Sequence, residues 1–263
     1  TNAGGRDALV LKYNPSGNVS WAREFGTTGT DTVNEIRVSR AGTIITAGTT
    51  NGALALVAPI GDVDSFVSRF DATGARMWTQ QFGTTDADNA LALAIAPNGD
   101  AYVGGSTTGV LGASAVSLDD LHDAFVTKYT ANSLKSWGKQ LGGPGWDLML
   151  RNAPTTAGRM LAIGTTETEL VAGSARGQRD YYIVRHDTGG TVDLEIQDGT
   201  LGLDSPAGIG SDAAGNIYVY GYTAGNFLNR GGDDNHGKGD LFLVKYDVAG
   251  TMQWARMYGT AEN

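Results

Sequence analysis

The sequence has no cysteine and only 6 prolines among its 263 residues. Without thiols it carries neither a disulfide framework nor a thiolate metal site, so the redox compartment is left open and export is permitted. Charge is sparse as well. Asp, Glu, Lys and Arg make up 18% of the chain, and 28 acids against 19 bases give a formal net charge of −9. Such a chain has no basic footprint for a phosphate backbone, which removes nucleic acid from the expected partners. No run approaches the ~18 apolar residues of a membrane helix. The first six residues, TNAGGR, contain no apolar stretch of signal-peptide type. The reading is a soluble chain without membrane insertion.

What the sequence has in excess is glycine, 39 residues, alongside 41% hydrophobic residues, a composition that suits many short strands joined by tight turns. Aligning the chain on DALVLKY, DSFVSRF, DAFVTKY, DYYIVRH and DLFLVKY places Asp7, Asp64, Asp123, Asp180 and Asp240 at spacings of 57, 59, 57 and 60. Gly follows 19 positions later in every copy (Gly26, Gly83, Gly142, Gly199, Gly259). Trp follows 14 later in four of five (Trp21, Trp78, Trp137, Trp254), with Leu194 in the fourth copy. Where a copy continues far enough, Asp recurs at offset 24 (Asp31, Asp88, Asp147, Asp204) and Gly at offsets 35 and 41.

Each copy reads as four short strands. The Asp-led segment alternates with period 2, then comes a turn such as NPSGN or DATGA, then the Trp strand, then a second hairpin such as SPAGIGSDAAGNIYVYG. The third copy, TANSL, lacks the turn glycine. The Trp residues read as anchors between neighbouring sheets. A period near 58 is too long for a β-helix rung, and radial closure limits exposed sheet edges. The expectation is an all-β chain, a β-propeller of four-stranded blades with about four and a half repeats of roughly 58 residues, forming one domain over 1–263 with repeats starting near 7, 64, 123, 180 and 240.

The pattern DAFVTKY, then Trp, then FG, then an Asp-led strand and GNIYVYG resembles the bacterial β-propeller repeat family named for seven-bladed propellers, over essentially the whole chain. That resemblance implies the propeller fold and a place in a large secreted or surface protein; it implies no specific activity. The chain opens on TNAGGRD and closes on YGTAEN, with five copies of the first strand pair and four of the second. It therefore reads as a segment of a longer array. Closure would take strands from elsewhere, by strand exchange or assembly with another chain, or the propeller is larger.

In a blade so ordered the hairpin turns share one face, and the longer connections (51–63, 108–122, 167–179 and 224–239) share the other. Variable loops on a rigid scaffold are where binding concentrates. These loops hold Asp62, Asp119, Asp120, Glu167, Glu169, Asp233 and Asp234, an acidic rim. GGDDNHGKGD, ending at Asp240, has the oxygen-ligand density of a calcium loop, so Asp233, Asp234 and Asp240 are the metal candidates, against the alternative of a solvated loop. No EF-hand spacing is present. For the Asp at offset 24 the structural alternative is a turn cap. Trp146, the Trp outside the repeat pattern, with Asp147 beside it and Tyr222 at the end of a fourth strand, are the ligand-binding candidates, a sugar-stacking platform or ordinary packing. Of the three His, His186 stands where the other copies have Tyr13, Phe70, Tyr129 and Tyr246 and reads as an aromatic substitute.

No nucleophile motif, phosphate loop or paired-carboxylate signature stands out, and a quinone enzyme's vicinal cysteines are absent. The functional expectation is a non-catalytic interaction or structural module, extracellular or on the bacterial surface, with a protein or glycan partner on the long-loop face. The alternatives are a glycan-binding module and a propeller enzyme (hydrolase, lyase or quinone-dependent).

Overall fold

A computed structural model describes residues 3–55, 58–111, 121–227 and 237–260. The described chain is all-β, with 18 strands, antiparallel pairing throughout the sheets and no helix. A two-stranded sheet comes first: β1 (Ala8–Tyr13) and β2 (Val19–Phe25). Four four-stranded meanders follow. The first is β3 (Asp31–Val38), β4 (Ile44–Thr50), β5 (Asp64–Phe70) and β6 (Arg76–Phe82), and the second is β7 (Asp88–Ile95), β8 (Ala101–Thr107), β9 (Asp123–Tyr129) and β10 (Lys135–Leu141). The third is β11 (Asp147–Pro154), β12 (Met160–Thr166), β13 (Asp180–His186) and β14 (Val192–Asp198), and the fourth is β15 (Asp204–Ser211), β16 (Ile217–Thr223), β17 (Asp240–Tyr246) and β18 (Met252–Tyr258).

The sheets begin half a repeat away from the sequence reading. Each opens on the Asp of offset 24 and ends on the Trp strand of the following copy, so the Asp-led segment is the third strand of a sheet instead of its first. The reason is in the pairing: Ile44–Thr50 bonds to Asp64–Phe70 along its whole length, with Thr50 opposite Asp64, so the long connection lies inside a sheet. The two classes of connection still separate as expected. Hairpin turns lie at one end of every sheet, and both the long loops and the sheet-to-sheet links lie at the other.

Nine hairpin turns use one backbone pattern, seen for instance in Asp71 N to Ala75 O and Gly74 N to Asp71 O. In five of them an Asn or Asp side chain at the first position accepts two further amides, as Asp187 Oδ1 does from Gly189 and Thr191. Those bonds hold the Asp71, Asp187 and Asp212 carboxyls below the usual range, led for Asp71 and Asp212 by side-chain bonds from Thr73 and Asn216 and for Asp187 by the Thr191 amide. The fourth residue of the turn has positive φ, and in the TANSL copy that residue is Ser133, at φ 72°. A Cβ there costs about 1 kcal/mol. Ser133→Gly is therefore expected to raise stability by about 0.5–1 kcal/mol, read as a higher urea midpoint at unchanged slope; a lower midpoint would sink this account of the turn.

The sheets stack face to face in chain order, with apolar rows from each face meeting between them. Between the first and second sheets lie Ile45, Ala47, Val67 and Phe82 against Ala90, Leu93, Val103, Phe125 and Tyr129. Between the third and fourth lie Leu161, Ile163, Tyr181 and Ile183 against Ile217, Val219, Phe242, Val244 and Tyr246. The half sheet joins the first sheet through Phe25, whose ring sits 6.0 Å from Phe66 and 5.3 Å from Phe70. Every complete sheet also has a bulge in its first strand, at Val33/Glu35, Ala90/Ala92, Met149/Arg151 and Pro206/Gly208. The glycine of offset 41 lies opposite each bulge, where a Cβ on Gly48, Gly105, Gly164 or Gly221 would overlap the carbonyl oxygen of Thr32, Asn89, Leu148 or Ser205. Close backbone approach explains that glycine.

The repeat Trp residues are half-buried, and Trp21, Trp78 and Trp137 reach into the next sheet's turn. Trp78 Nε1 donates to Ala131 O at 3.0 Å and Trp137 Nε1 to Thr188 O at 3.2 Å. Long cations make the same crossing: Lys12 to Ala72 O, Arg23 to Gly74 O, Arg69 to Gly99 O, Lys128 to Thr188 O and Arg185 to Val248 O. His186 is fully buried and stacks on Trp137 with ring centroids 5.1 Å apart, so it does pack as the aromatic of its copy.

Candidate functional site

The end of the sheets that carries the long loops is built on two repeated carboxylates. The Asp that opens the third strand accepts a side-chain amide from the residue 17 positions on: Gln81 Nε2 to Asp64 at 2.7 Å, Gln140 to Asp123 at 2.8 Å and Gln197 to Asp180 at 3.0 Å. The same amide nitrogens also donate to Gly52 O, Gly109 O and Thr168 O, and the Gln Oε1 atoms accept the first amides of each loop, from Leu54, Leu111 and Leu170. The loop's far foot is held by the Asp itself, through Ile60 N and Gly61 N to Asp64 and Arg176 N to Asp180. These glutamines recur at offset 17, which in the five copies is Glu24, Gln81, Gln140, Gln197 and Met257.

The Asp at offset 24 caps the sheet-to-sheet link. Asp31, Asp88 and Asp204 accept the amides of Thr27, Thr84 and Thr200 at 2.6–2.7 Å, and Asp147 accepts that of Gly143 at 2.9 Å. These four Asp are buried at 0–1% exposure. The capping role is thus the one the geometry displays. Gly of offset 19 lies between the two carboxylates: a Cβ on Gly199 would stand 2.5 Å from Asp204 Oδ2 and 2.8 Å from Asp180 Oδ1. Burial, with Asp180 adding like charge, pushes the Asp204 carboxyl up to about 6, and burial with Asp64 nearby raises Asp88.

Of the ligand-binding candidates, Trp146 is 44% exposed at the loop end, with His122 tilted against it at a ring separation of 4.3 Å. Burial lowers the His122 imidazole. Asp147, next in sequence, is turned inward as the cap just described, so the pair does not face solvent together. Tyr222 is 48% exposed, on β16 of the fourth sheet with Tyr220 on the same face, whereas Trp146 precedes β11 of the third sheet. Among the metal candidates Asp240 is buried at the start of β17, in the position of Asp64 and Asp180, while Asp233 and Asp234 lie outside the described residues, as do Asp119 and Asp120. Among the described residues no three acidic, His or Cys side chains gather as a metal-binding group. In the acidic rim, Asp62, Glu167 and Glu169 are exposed, and Glu167 pairs with Arg179 at 2.7 Å. At the opposite end, the turn ends of β3, β7 and β11 border a cavity lined by Val38, Ser39, Arg40, Ile95, Ala96, Pro97 and Pro154, with one guanidinium and one hydroxyl as its side-chain chemistry.

No family model matches the chain. A stretch of 110 residues is 33% identical to the regulatory protein FlaEY of Caulobacter vibrioides; it covers 39% of this chain and 12% of that protein's length. Among solved structures, a subtype N11 neuraminidase-like protein of A/flat-faced bat/Peru superposes with a TM-score of 0.44 and 11% identity, covering 96% of this chain and 59% of that one.

Proposed function

We propose that the chain is a β-propeller segment of the bacterial repeat type, and that it acts as a non-catalytic scaffold outside the cell or on its surface, presenting its long loops to a protein or glycan partner. One observation carries this reading. The loops differ in sequence between their feet, while the feet are fixed by the same Asp and Gln bonds at Gln81, Gln140 and Gln197. A scaffold that pins the ends of its loops and leaves their middles free to vary is organised for recognition. Buried, backbone-bonded Asp side chains are committed to that pinning.

A glycan is favoured over a protein partner by the exposed Trp146 with His122 against its ring, since aromatic faces stack on the apolar side of sugars. The test is a glycan array probed with wild type and with Trp146→Ala, together with a chain whose 167–179 loop is replaced by its 51–63 loop. The expected result is a hit that Trp146→Ala loses at least tenfold while the melting temperature stays within about 2 °C, as befits an exposed side chain. An empty array for wild type removes the glycan. Binding of any partner that survives every loop exchange removes the loop face.

A further inference from the structure

The half sheet and the four full sheets meet at four junctions, and three of these close on paired rings. Each time, the ring at offset 2 of the following sheet is the one that is met. Phe25 meets Phe66 at 6.0 Å and Phe82 meets Phe125 at 5.8 Å, both from offset 18. Between the third and fourth sheets offset 18 is Asp198, and other positions replace the lost ring: Tyr181, from offset 1, lies 5.4 Å from Phe242, and Phe227, from offset 47, lies 5.6 Å from it.

The junction between the second and third sheets has no such replacement. Offset 18 is Leu141, offset 1 is Ala124 and offset 47 is Leu170, so these positions offer Tyr182, the ring at offset 2, only aliphatic groups. Leu141 and Leu170 stay half-buried, where Phe82 and Phe227 are buried. A cavity of about 200 Å³, open to solvent on one side, stands at this place, with Leu141, Leu170, Val171, Ile183, Val184 and Ile196 among its walls. Tyr182 and Gln140 also line it, and the Gln140 amide is already bonded to Asp123, Gly109 O and Leu111 N. Glu195, which is exposed, lies at its margin.

We propose that this cavity binds the single aromatic ring of a small uncharged molecule, seated where Phe82 and Phe227 sit in the neighbouring junctions. The three positions that build the ring contact elsewhere, Leu141, Leu170 and Tyr182, all lie on its lining, so the hollow is the vacated seat of a ring. Its size is sufficient, since an apolar cavity of about 150 Å³ admits benzene. Tyr182 supplies an aromatic partner, which favours a flat ring over an aliphatic group of equal volume. A charged substituent is excluded from the walls, where it would lose water and find no free polar partner, and an acid is further disfavoured by Glu195. The site depends on the second and third sheets alone and stands or falls independently of the loop-face reading.

Thermal unfolding with phenol, and with benzoate as its charged counterpart, tests it on wild type and on Leu141→Phe. Millimolar phenol is expected to raise the wild-type melting temperature by about 2 °C or more, and benzoate to leave it unmoved. Leu141→Phe carries its own ring, so it should melt about 2–4 °C above wild type without ligand and lose the response to phenol. A second measurement needs no variant: phenol should shift the methyl resonances of Leu141, Leu170 and Ile196 through its ring current and leave those of Ile45 and Val67, in a filled junction, in place. A wild type that neither gains stability nor shows these shifts overturns the proposal. So does a phenol response that Leu141→Phe retains, and so does benzoate acting as strongly as phenol. Should Leu141→Phe overpack and melt below wild type, the methyl shifts decide alone: confined to the cavity they uphold the site, and absent they remove it.

Discussion

Gly105→Ala is expected to destabilise the chain by about 3 kcal/mol or more, the upper part of the range for forcing atoms into a packed site, lowering the melting temperature by roughly 6–12 °C for a domain of this size. The obstacle is backbone. The bulge at Ala90/Ala92 turns the Asn89 carbonyl onto the Gly105 α-carbon, so a methyl group there is relieved only by undoing the bulge or parting β7 from β8. Gly210→Ala is the matched control: it also lies in a strand, and a Cβ there has no atom within 4 Å. It should be neutral or mildly stabilising, through a less flexible unfolded chain. Equal effects of the two substitutions, measured by calorimetry, would remove the close-approach explanation of this glycine.

The second large effect depends on pH. Burial, helped by Lys139, pulls the His186 imidazole down to about 4, and neither ring nitrogen has a hydrogen-bond partner among the described residues. The unfolded chain takes up this proton near pH 6.5 and the folded chain only near 4, so the contribution is whole above 6.5 and is lost as pH falls to 4. The loss amounts to about 3 kcal/mol, from roughly 1.4 kcal/mol for each unit of the gap. His186→Phe, which restores the ring found at Phe70, should be more stable than wild type at every pH, with the advantage widening by about that amount between pH 7 and 4. Asp204 acts with the opposite sign in the same interval: its raised carboxyl contributes stability below pH 4 that is lost as pH climbs through about 6. The wild-type curve is a sum, and the difference between variant and wild type isolates the histidine. Parallel denaturation curves across that range would show that His186 charges freely in the folded chain.

These two positions show what the sequence made legible. The 57- to 60-residue recurrence of Asp, Trp and Gly led to four strands per repeat and to the separation of turns from long loops. The Asp of offset 24 begins a strand in every copy that has it, and the Asp of offset 0 does so in four of five, β1 starting one residue after Asp7. The origin of the sheet was not legible, because a periodic chain has no first element until pairing selects one. The glutamine footholds were hidden by Glu24 and Met257, which break the recurrence at both ends. Leu9 and Tyr13 were indistinguishable from Phe66 and Phe70, since alternation says which side a residue takes and not whether anything lies on that side. Asp147 and Trp146 are neighbours in sequence yet point to opposite environments for the same reason.

The side chains that cross between sheets carry a consequence of another kind. Arg23, Arg69, Trp78, Lys128, Trp137 and Arg185 all end on a backbone carbonyl in a turn of the next sheet. A carbonyl is the same group whatever residue carries it, so the receiving turn can drift in sequence without losing the tie, and among the described residues none of these ties reaches beyond the adjoining sheet. Energetically the chain is then a row of nearest neighbours. Whole repeats can be duplicated or lost in evolution with each surviving junction unaltered, which makes the number of repeats a heritable variable separate from the structure of any one of them.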